Sequence, residues 1–223
     1  MKTYIIHLSK IKPSLDSALV LRNKLLSFGM TAELFEGSYG DVVMKQYKQQ
    51  GRKHHPWSFK HGPEHRLSED YINQQQTNAG VIGCFDSHYR LWQKCCQLKE
   101  PILIMEDDAD AIRPYIPVDF DDVLIVAFSH NKKRKKYLHY IYESRGEPEA
   151  KPYKQSSMPG TAGYVIKPHA AKILVDEYKN SFLPADNAMN YHLVKLQVHG
   201  YAMGEDIKRE RYNGKISLVR RRW

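Results

Sequence analysis

A short, wholly apolar segment that ends in a block of carboxylates is the feature that most constrains the fold of this chain. Residues 102–105 are Ile, Leu, Ile and Met, and Pro101 precedes them. A run of this length without polar alternation predicts a β-strand that is covered on both faces. Such strands occur in parallel sheets flanked by helices, so the segment favours an α/β fold.

The segment before this strand has the spacing of an amphipathic helix. Apolar side chains and one histidine recur there at steps of three and four residues: Val81, Cys84, Phe85, His88, Leu91, Trp92, Cys95 and Leu98. This period predicts a helix that buries one long face. The helix and the strand after it form one unit of an alternating α/β chain.

The rest of the chain alternates between strand and helix patterns. Further strands are predicted within residues 3–8, 32–35, 123–128, 137–142 and 160–166, and helices at 15–26, from Pro168, and at 186–198. Residues 37–79 show no sustained period, which predicts a long functional loop or a loosely helical insertion. Because no repeat or linker divides the chain, we expect one domain over residues 1–223.

Four carboxylates follow the buried strand within five residues: Glu106, Asp107, Asp108 and Asp110. Open α/β sheets bind ligands at the carboxyl ends of their strands, which is where this block lies. Neighbouring carboxylates repel one another unless a cation neutralises them, and all-oxygen sites suit Mg²⁺ or Mn²⁺. The alternative is a solvated acidic turn in which one aspartate caps the next segment.

The overall charge is opposite to that of this acidic block. The chain has 34 Lys and Arg against 25 Asp and Glu, a formal net charge of +9. The positive residues cluster at 132–136, at 220–222 and between 45 and 65. This distribution predicts a polyanionic partner: a nucleic acid, an anionic membrane surface or a nucleotide sugar.

The cysteines and the N-terminus bear on the cellular compartment. Three cysteines, two of them the adjacent pair Cys95 and Cys96, offer neither a disulfide framework nor the spacing of a zinc cage. The N-terminus runs directly into a predicted strand, without a secretory apolar region, and no stretch approaches the length of a spanning helix. We therefore expect a cytoplasmic protein.

Several of these segments together resemble glycosyltransferase family 25. The segment Gly80–His88 with Trp92 resembles the family pattern GxxxCxxSHxxxW, and residues 104–108 resemble the end of its LIxEDD. Residues 160–171 are similar to its GxxGYxIxxxxAxxL, and the first strand ends in IxL at Leu8. The resemblance extends from residue 3 to about residue 190.

The resemblance implies a GT-A-like, Rossmann-type fold with a mostly parallel sheet flanked by helices. Residues 1–128 would mainly bind a nucleotide sugar, usually UDP-linked, and 129–223 the acceptor, with inversion at the anomeric carbon. Asp108 and Glu106 would bind Mn²⁺ or Mg²⁺. The remaining donor-site residues are predicted to be Asp107, Ser87, His7, Leu8, Glu36 and Gly37.

An inverting transfer needs a base that takes the proton of the acceptor hydroxyl. Asp186 is our first candidate, because it matches the family's PxD and begins a predicted helix; as an alternative it is an ordinary helix cap. Asp110 and Glu205 are further candidates. His88 is either a catalytic residue or a hydrogen-bonded core histidine. Ser87 contacts substrate or bonds to the preceding helical turn.

The sequence is compatible with more than one class of acceptor. The resemblance implies lipooligosaccharide or collagen, and a positively charged protein suits a membrane surface. However, aromatic residues such as Trp57 lie among the positive residues of 45–65, a combination typical of nucleic-acid contact. We therefore predict a hydroxymethylated pyrimidine of phage-type DNA, bound by Trp57 and the basic cluster Lys132, Lys133, Arg134, Lys135 and Lys136. A lipooligosaccharide acceptor and a non-catalytic nucleic-acid-binding protein are the alternatives.

Overall fold

The predicted apolar strand lies inside the central sheet. The computed structural model describes residues 1–58, 61–129, 147–153, 156–158 and 160–206. The strand extends over Ile102–Glu106, and its first four side chains are fully buried. It pairs in parallel with the strand Lys2–His7 and antiparallel with the strand Gly163–Ile166.

The strands are numbered in chain order. They are β1 (Lys2–His7), β2 (Glu33–Glu36), β3 (Lys53–His54), β4 (Trp57–Ser58), β5 (Gly62–Arg66), β6 (Ile102–Glu106), β7 (Ala109–Ala111), β8 (Val123–Ser129), β9 (Ala150–Pro152), β10 (Gly163–Ile166), β11 (Ser181–Phe182), β12 (Leu196–His199) and β13 (Gly204–Asp206). The described helices are α1 (Lys12–Ser27), α2 (Gly40–Gln49), α3 (Glu69–Gln76), α4 (Ala79–Leu98), α5 (Pro168–Glu177) and α6 (Ala185–Ala188).

The main sheet has the order β2-β1-β6-β10-β8-β12-β9, and β13 joins it beside β8 and β7. The pairings show that β2, β1, β6, β8 and β12 run in one direction, whereas β10 and β9 run in the other. This confirms the predicted α/β class with a mostly parallel sheet. Two small ladders, β3 with β11 and β4 with β5, lie apart from this sheet.

The side chains of β6 alternate between two hydrophobic cores. Ile102 and Ile104 belong to the core that contains the buried residues of α4 and α5. Leu103 and Met105 belong to the core on the other face, which is covered by α1. Burial on both faces is why this strand has no polar position before Glu106.

The structure confirms most of the predicted elements. The β1-α1-β2 unit, β8, β10, α4 and α5 all lie where the sequence places them, and residues 37–79 contain α2, α3 and the short ladder strands. The predicted strand at 137–142 lies outside the described residues. Within the described part of the chain, no helix is both long and apolar enough to span a membrane.

The helix predicted over residues 186–198 is wrong. The helical region ends at Ala188, and Leu196–His199 forms the strand β12. Leu196 and Val198 are buried while Gln197 between them is less so, which is the two-residue period of a strand. Pairing with β8 and β9 supplies the hydrogen bonds that override the local helical pattern.

Two glycines allow α2 and α4 to approach closely. A Cβ atom at Gly40 would lie 1.8 Å from the carbonyl oxygen of Ala79, and one at Gly83 would lie 2.6 Å from that of Ser38. Both neighbours are backbone atoms, which cannot move aside as a flexible side chain can. The start of α2 is therefore seated directly against α4.

The buried histidine His199 is bonded as a neutral ring. Its Nε2–H donates to the carbonyl of Ile116 at 2.8 Å, and its Nδ1 accepts from the backbone N–H of Tyr201 at 2.9 Å. Burial lowers the pKa of His199, and burial also lowers the pKa of His55 to about 4. Both rings therefore remain neutral in the folded protein at pH values where the unfolded chain binds a proton.

We expect Gly83→Ala to destabilise the protein. Alanine in a helix is intrinsically favoured over glycine by about 1 kcal/mol, but the overlap with the backbone of Ser38 should cost about 1–3 kcal/mol. Urea unfolding measures the difference. Gln93→Ala, at an exposed position of the same helix, should change stability by less than about 0.5 kcal/mol. A Gly83→Ala protein more stable than wild type would contradict the close contact.

We expect the protein to lose stability as the pH falls from about 6.5 toward 4. In this window the unfolded histidines bind protons that folded His55, and folded His199 in the upper part of the window, do not bind, so the free energy of unfolding decreases. Urea unfolding at several pH values gives the slope. His199→Gln should reduce that slope; an unchanged slope would show that His199 does not contribute.

Candidate active site

A cavity of about 350 Å³ opens at the carboxyl ends of β1 and β6. Its other walls come from the first turns of α1 and α2 and from the N-terminal half of α4. The cavity brings together the catalytic candidate His88 and six residues that the sequence predicted for the donor and metal site: His7, Leu8, Ser87, Glu106, Asp107 and Asp108. Residues from three distant parts of the chain therefore meet at the predicted edge of the sheet.

Three residues of the acidic block, Glu106, Asp107 and Asp108, form the cavity wall at the end of β6. Asp107 and Asp108 directly follow the strand and are only 8% and 7% exposed. Carboxylates this deeply buried are costly unless positive charge or hydrogen-bond donors compensate them. The interpretation as a fully solvated acidic turn does not fit this burial.

The helices present positive potential to the same cavity. Lys10 and Ile11 at the start of α1, Tyr39 and Gly40 at the start of α2, and Gly80 in the first turn of α4 line it. The first backbone N–H groups of a helix have no partner within the helix and carry the positive end of its dipole. Three helix starts together with a lysine can bind an anionic group such as a diphosphate.

Glu106 is held by a buried hydrogen-bond network. Its Oε1 accepts from the hydroxyl of Thr161 and lies 3.2 Å from Nε2 of His88. The other ring nitrogen of His88 lies 2.9 Å from the hydroxyl of Tyr164, which accepts from Nε1–H of Trp92 at 2.9 Å. His88 is therefore a hydrogen-bonded core histidine that also reaches the cavity wall.

Ser87, next to His88, makes a different contact. Its hydroxyl donates to the carbonyl of Gly83 at 2.7 Å, as expected for a helix serine, and accepts from the backbone N–H of Ser38 at 2.8 Å. Arg90 and Asp86 of the same helix bond the Ser38 side chain at 3.0 and 2.5 Å. Helix α4 thus fixes the loop that leads into α2.

Glu36 and Gly37 lie beside the cavity lining, at the end of β2. The N–H of Gly37 donates to the carbonyl of His7 at 2.7 Å, and Glu36 Oε1 accepts from the hydroxyl of Tyr39 at 2.7 Å. Although burial raises the pKa of Glu36, hydrogen bonds from Tyr39 and Ser9 outweigh this effect and lower it. Tyr39 is not among the predicted site residues, because a tyrosine in an aperiodic segment carries no local signal.

Two kinds of metal ligand occur in this region. Within the described part of the chain, Cys84, His88 and Glu106 have ligand atoms within 4.8 Å of one another, a mixed sulfur, nitrogen and oxygen set. Asp107 and Asp108 offer oxygen atoms alone, in a cavity whose helix starts suit phosphate. The aspartates therefore fit a hard ion such as Mg²⁺ or Mn²⁺, whereas the mixed set would suit a softer ion.

Two of the other candidate bases, Asp110 and Asp186, make contacts elsewhere in the described structure. Asp110 is on β7, and its carboxylate lies 2.6 Å from the ammonium of Lys24 on α1. Asp186 is in the first turn of α6. Burial raises the pKa of Tyr71, and the negative charge of Asp186 raises it further. Neither Asp110 nor Asp186 is part of the cavity lining. The side chain of Glu205 lies outside the described residues.

Of the predicted acceptor-binding residues, the structure describes Trp57. The basic cluster Lys132–Lys136 lies outside the described residues. Trp57 is only 6% exposed, and its Nε1–H donates to Nε2 of His55 at 2.7 Å. Its ring also packs against His192. A ring buried in this way does not present an open face on which a nucleic-acid base could stack.

Comparison with known proteins finds a protein family and solved structures that are similar to this chain. No curated protein matches it. Among solved structures, the chain is similar to the apo crystal structure of mouse xyloside xylosyltransferase 1, at 13% identity, with a TM-score of 0.30. That alignment covers 84% of this chain but 66% of the mouse structure, just under two thirds of its length.

A family profile matches most of the chain. A profile described as "Glycosyltransferase family 25 (LPS biosynthesis protein)" matches residues 22–189. The matched range includes the whole of α4, the acidic block and β10, from which the resemblance in the sequence was drawn. The chain belongs to glycosyltransferase family 25.

Proposed function

We propose that this protein transfers a sugar from a nucleotide sugar to a hydroxyl of a surface glycan, with a divalent cation bound by the acidic block. Membership in the family implies a nucleotide-sugar donor and an acceptor. The observation that carries the proposal is the cavity in which buried carboxylates face three helix starts. That combination suits a cation and an anionic diphosphate bound side by side.

The cavity residues have separate roles in donor binding. The helix starts and Lys10 would bind the diphosphate, while Asp107 and Asp108 would hold the cation, with Glu106 beside them. A divalent cation bound there would stabilise the negative charge that develops on the departing nucleotide diphosphate. We propose Mn²⁺ or Mg²⁺ with a UDP-sugar, because hard ions prefer oxygen ligands and bridge to phosphates.

The acid–base part of the reaction depends on the acceptor side. An inverting transfer places the acceptor hydroxyl opposite the departing diphosphate, so its base must lie away from the phosphate-binding helix starts. Asp186, which is outside the cavity lining, is compatible with that arrangement and stays our prediction for the base. Its exchange for asparagine should lower kcat more than the affinity for the donor.

We favour a lipopolysaccharide-type glycan over DNA as the acceptor. The description of the matched family names lipopolysaccharide biosynthesis. Among the described residues, the DNA interpretation relied on Trp57 as a stacking surface, and this ring is buried. The basic clusters are equally compatible with the anionic phosphates of a lipopolysaccharide surface.

Asp108→Asn should reduce sugar transfer by roughly 100-fold or more, because it removes a negative charge from the proposed cation site. The measurement is nucleotide diphosphate release with Mn²⁺, a panel of UDP-sugars and a lipooligosaccharide acceptor. Asp176→Asn is the matched control, because Asp176 is an exposed residue of α5 paired with Lys172. Equal activity of the two variants would contradict the proposed role of Asp108.

The two acceptor classes can be separated in one assay. The protein should add mass to lipooligosaccharide and leave hydroxymethylated DNA unchanged, each supplied with the same donor and Mn²⁺. Mass spectrometry of both acceptors gives the answer. Transfer to DNA, together with DNA binding that weakens steeply with salt and is lost when Lys132–Lys136 are neutralised, would overturn the glycan proposal.

A further inference from the structure

We infer that His88 and Thr161 are positioning residues that hold the carboxylate of Glu106 in the cavity wall, and that Tyr164 fixes the ring of His88 for this purpose. The inference rests on the proposed function, because it concerns the same cavity. One oxygen atom of Glu106, Oε1, accepts a hydrogen bond from the Thr161 hydroxyl and lies 3.2 Å from Nε2 of His88.

The proton positions in this network follow from its chemistry. The indole N–H of Trp92 can only donate, so the Tyr164 oxygen accepts it. The single hydroxyl proton of Tyr164 can then be given to Nδ1 of His88. A neutral His88 ring must consequently carry its proton on Nε2, where it points at Glu106.

The burial of Trp92, Tyr164 and His88 leaves one arrangement of the protons in this network. Trp92 and Tyr164 are fully buried and His88 is 1% exposed, so water does not replace a missing partner. If Nδ1 of His88 carried a proton instead, the Tyr164 oxygen would face two donors, and its own proton would lose this acceptor. Burial also raises the pKa of Tyr164 well above its usual range, so its hydroxyl stays a donor.

The network joins three parts of the chain at the cavity. His88 comes from α4, Glu106 ends β6, and Thr161 precedes β10. The backbone N–H of Glu106 donates to the carbonyl of Ala162 at 3.1 Å, which fixes the distance between β6 and the segment carrying Thr161. The position of the carboxylate is therefore set by the fold rather than by the cavity's contents.

A soft metal ion at Cys84, His88 and Glu106 is the competing interpretation. The geometry favours hydrogen bonds, because the oxygen of Glu106 that faces His88 also accepts from Thr161. A metal ion bound at Nε2 of His88 would have to displace the proton on that nitrogen. The contact between Nδ1 and Tyr164 already places that proton on Nε2, where it points at Glu106. Zinc binding at this cluster is therefore an outcome that would overturn the inference.

Two matched pairs of variants test the positioning role. His88→Gln places an amide donor near the position of Nε2, whereas the shorter His88→Asn reaches only the position of Nδ1. Thr161→Ser keeps the hydroxyl, and Thr161→Val removes it at similar volume. The dissociation constant for UDP with Mn²⁺ should stay within a few-fold of wild type in His88→Gln and Thr161→Ser. His88→Asn and Thr161→Val should bind UDP about 10–100-fold more weakly.

Calorimetric titration distinguishes this role from a loss of folded protein. A partly unfolded variant lowers the apparent number of sites, whereas a displaced carboxylate changes the dissociation constant. Equal constants within both pairs would overturn the positioning role. If one histidine variant fails to fold, the threonine pair still decides, because valine differs from the wild-type threonine only by a methyl group in place of the hydroxyl, and serine only by the loss of one methyl group.

An independent measurement does not need the proposed activity. The ¹⁵N NMR signals of the His88 ring, identified by their absence in His88→Gln, should show a proton on Nε2 and a hydrogen-bond-accepting Nδ1. A proton on Nδ1, or a shift of these signals on addition of Zn²⁺ alone, would overturn the inference. If wild-type protein binds no UDP, the proposed function fails, and the NMR result still decides the hydrogen-bond network.

Discussion

The complete burial of β6 is the constraint on which the rest of the site depends. Its side chains alternate between the core beneath α4 and the core beneath α1. By the same alternation Glu106 points to the α4 side, as Ile104 does, and there it meets His88. Asp107 and Asp108 then follow where the strand leaves the sheet, so they lie at its carboxyl edge.

Opposite charges meet at that edge for a structural reason. The helices α1, α2 and α4 all begin beside the cavity, and their first N–H groups are positive. The acidic block provides the negative charge on the facing wall. A site with only one of these features would bind either an anion or a cation; both together suit a phosphate that is already paired with a metal ion.

The sequence predicted those parts of the site that depend on local patterns. The period of α4, the apolar run of β6 and the carboxylates after it place His88 and Glu106–Asp108 in one cavity. Contacts between distant segments were not predictable in this way. Asp110 is three residues after the cavity residue Asp107, yet it pairs with Lys24 because β7 lies against β13 and near α1. Similarly, the burial of Trp57 arises from His55 and His192.

Helix α4 does more than pack against the sheet. Gly83 allows the start of α2 to approach, and Ser87 then accepts a hydrogen bond from the backbone N–H of Ser38, so this helix positions one of the helix starts that line the cavity. The next residue, His88, points in another direction, because successive helical side chains diverge, and it reaches Glu106. Two adjacent residues thus connect the positive and negative walls of the cavity to one rigid helix. The distance between the two walls is consequently a property of the folded core, so the proposed cation and diphosphate would bind between walls that the fold already holds in place.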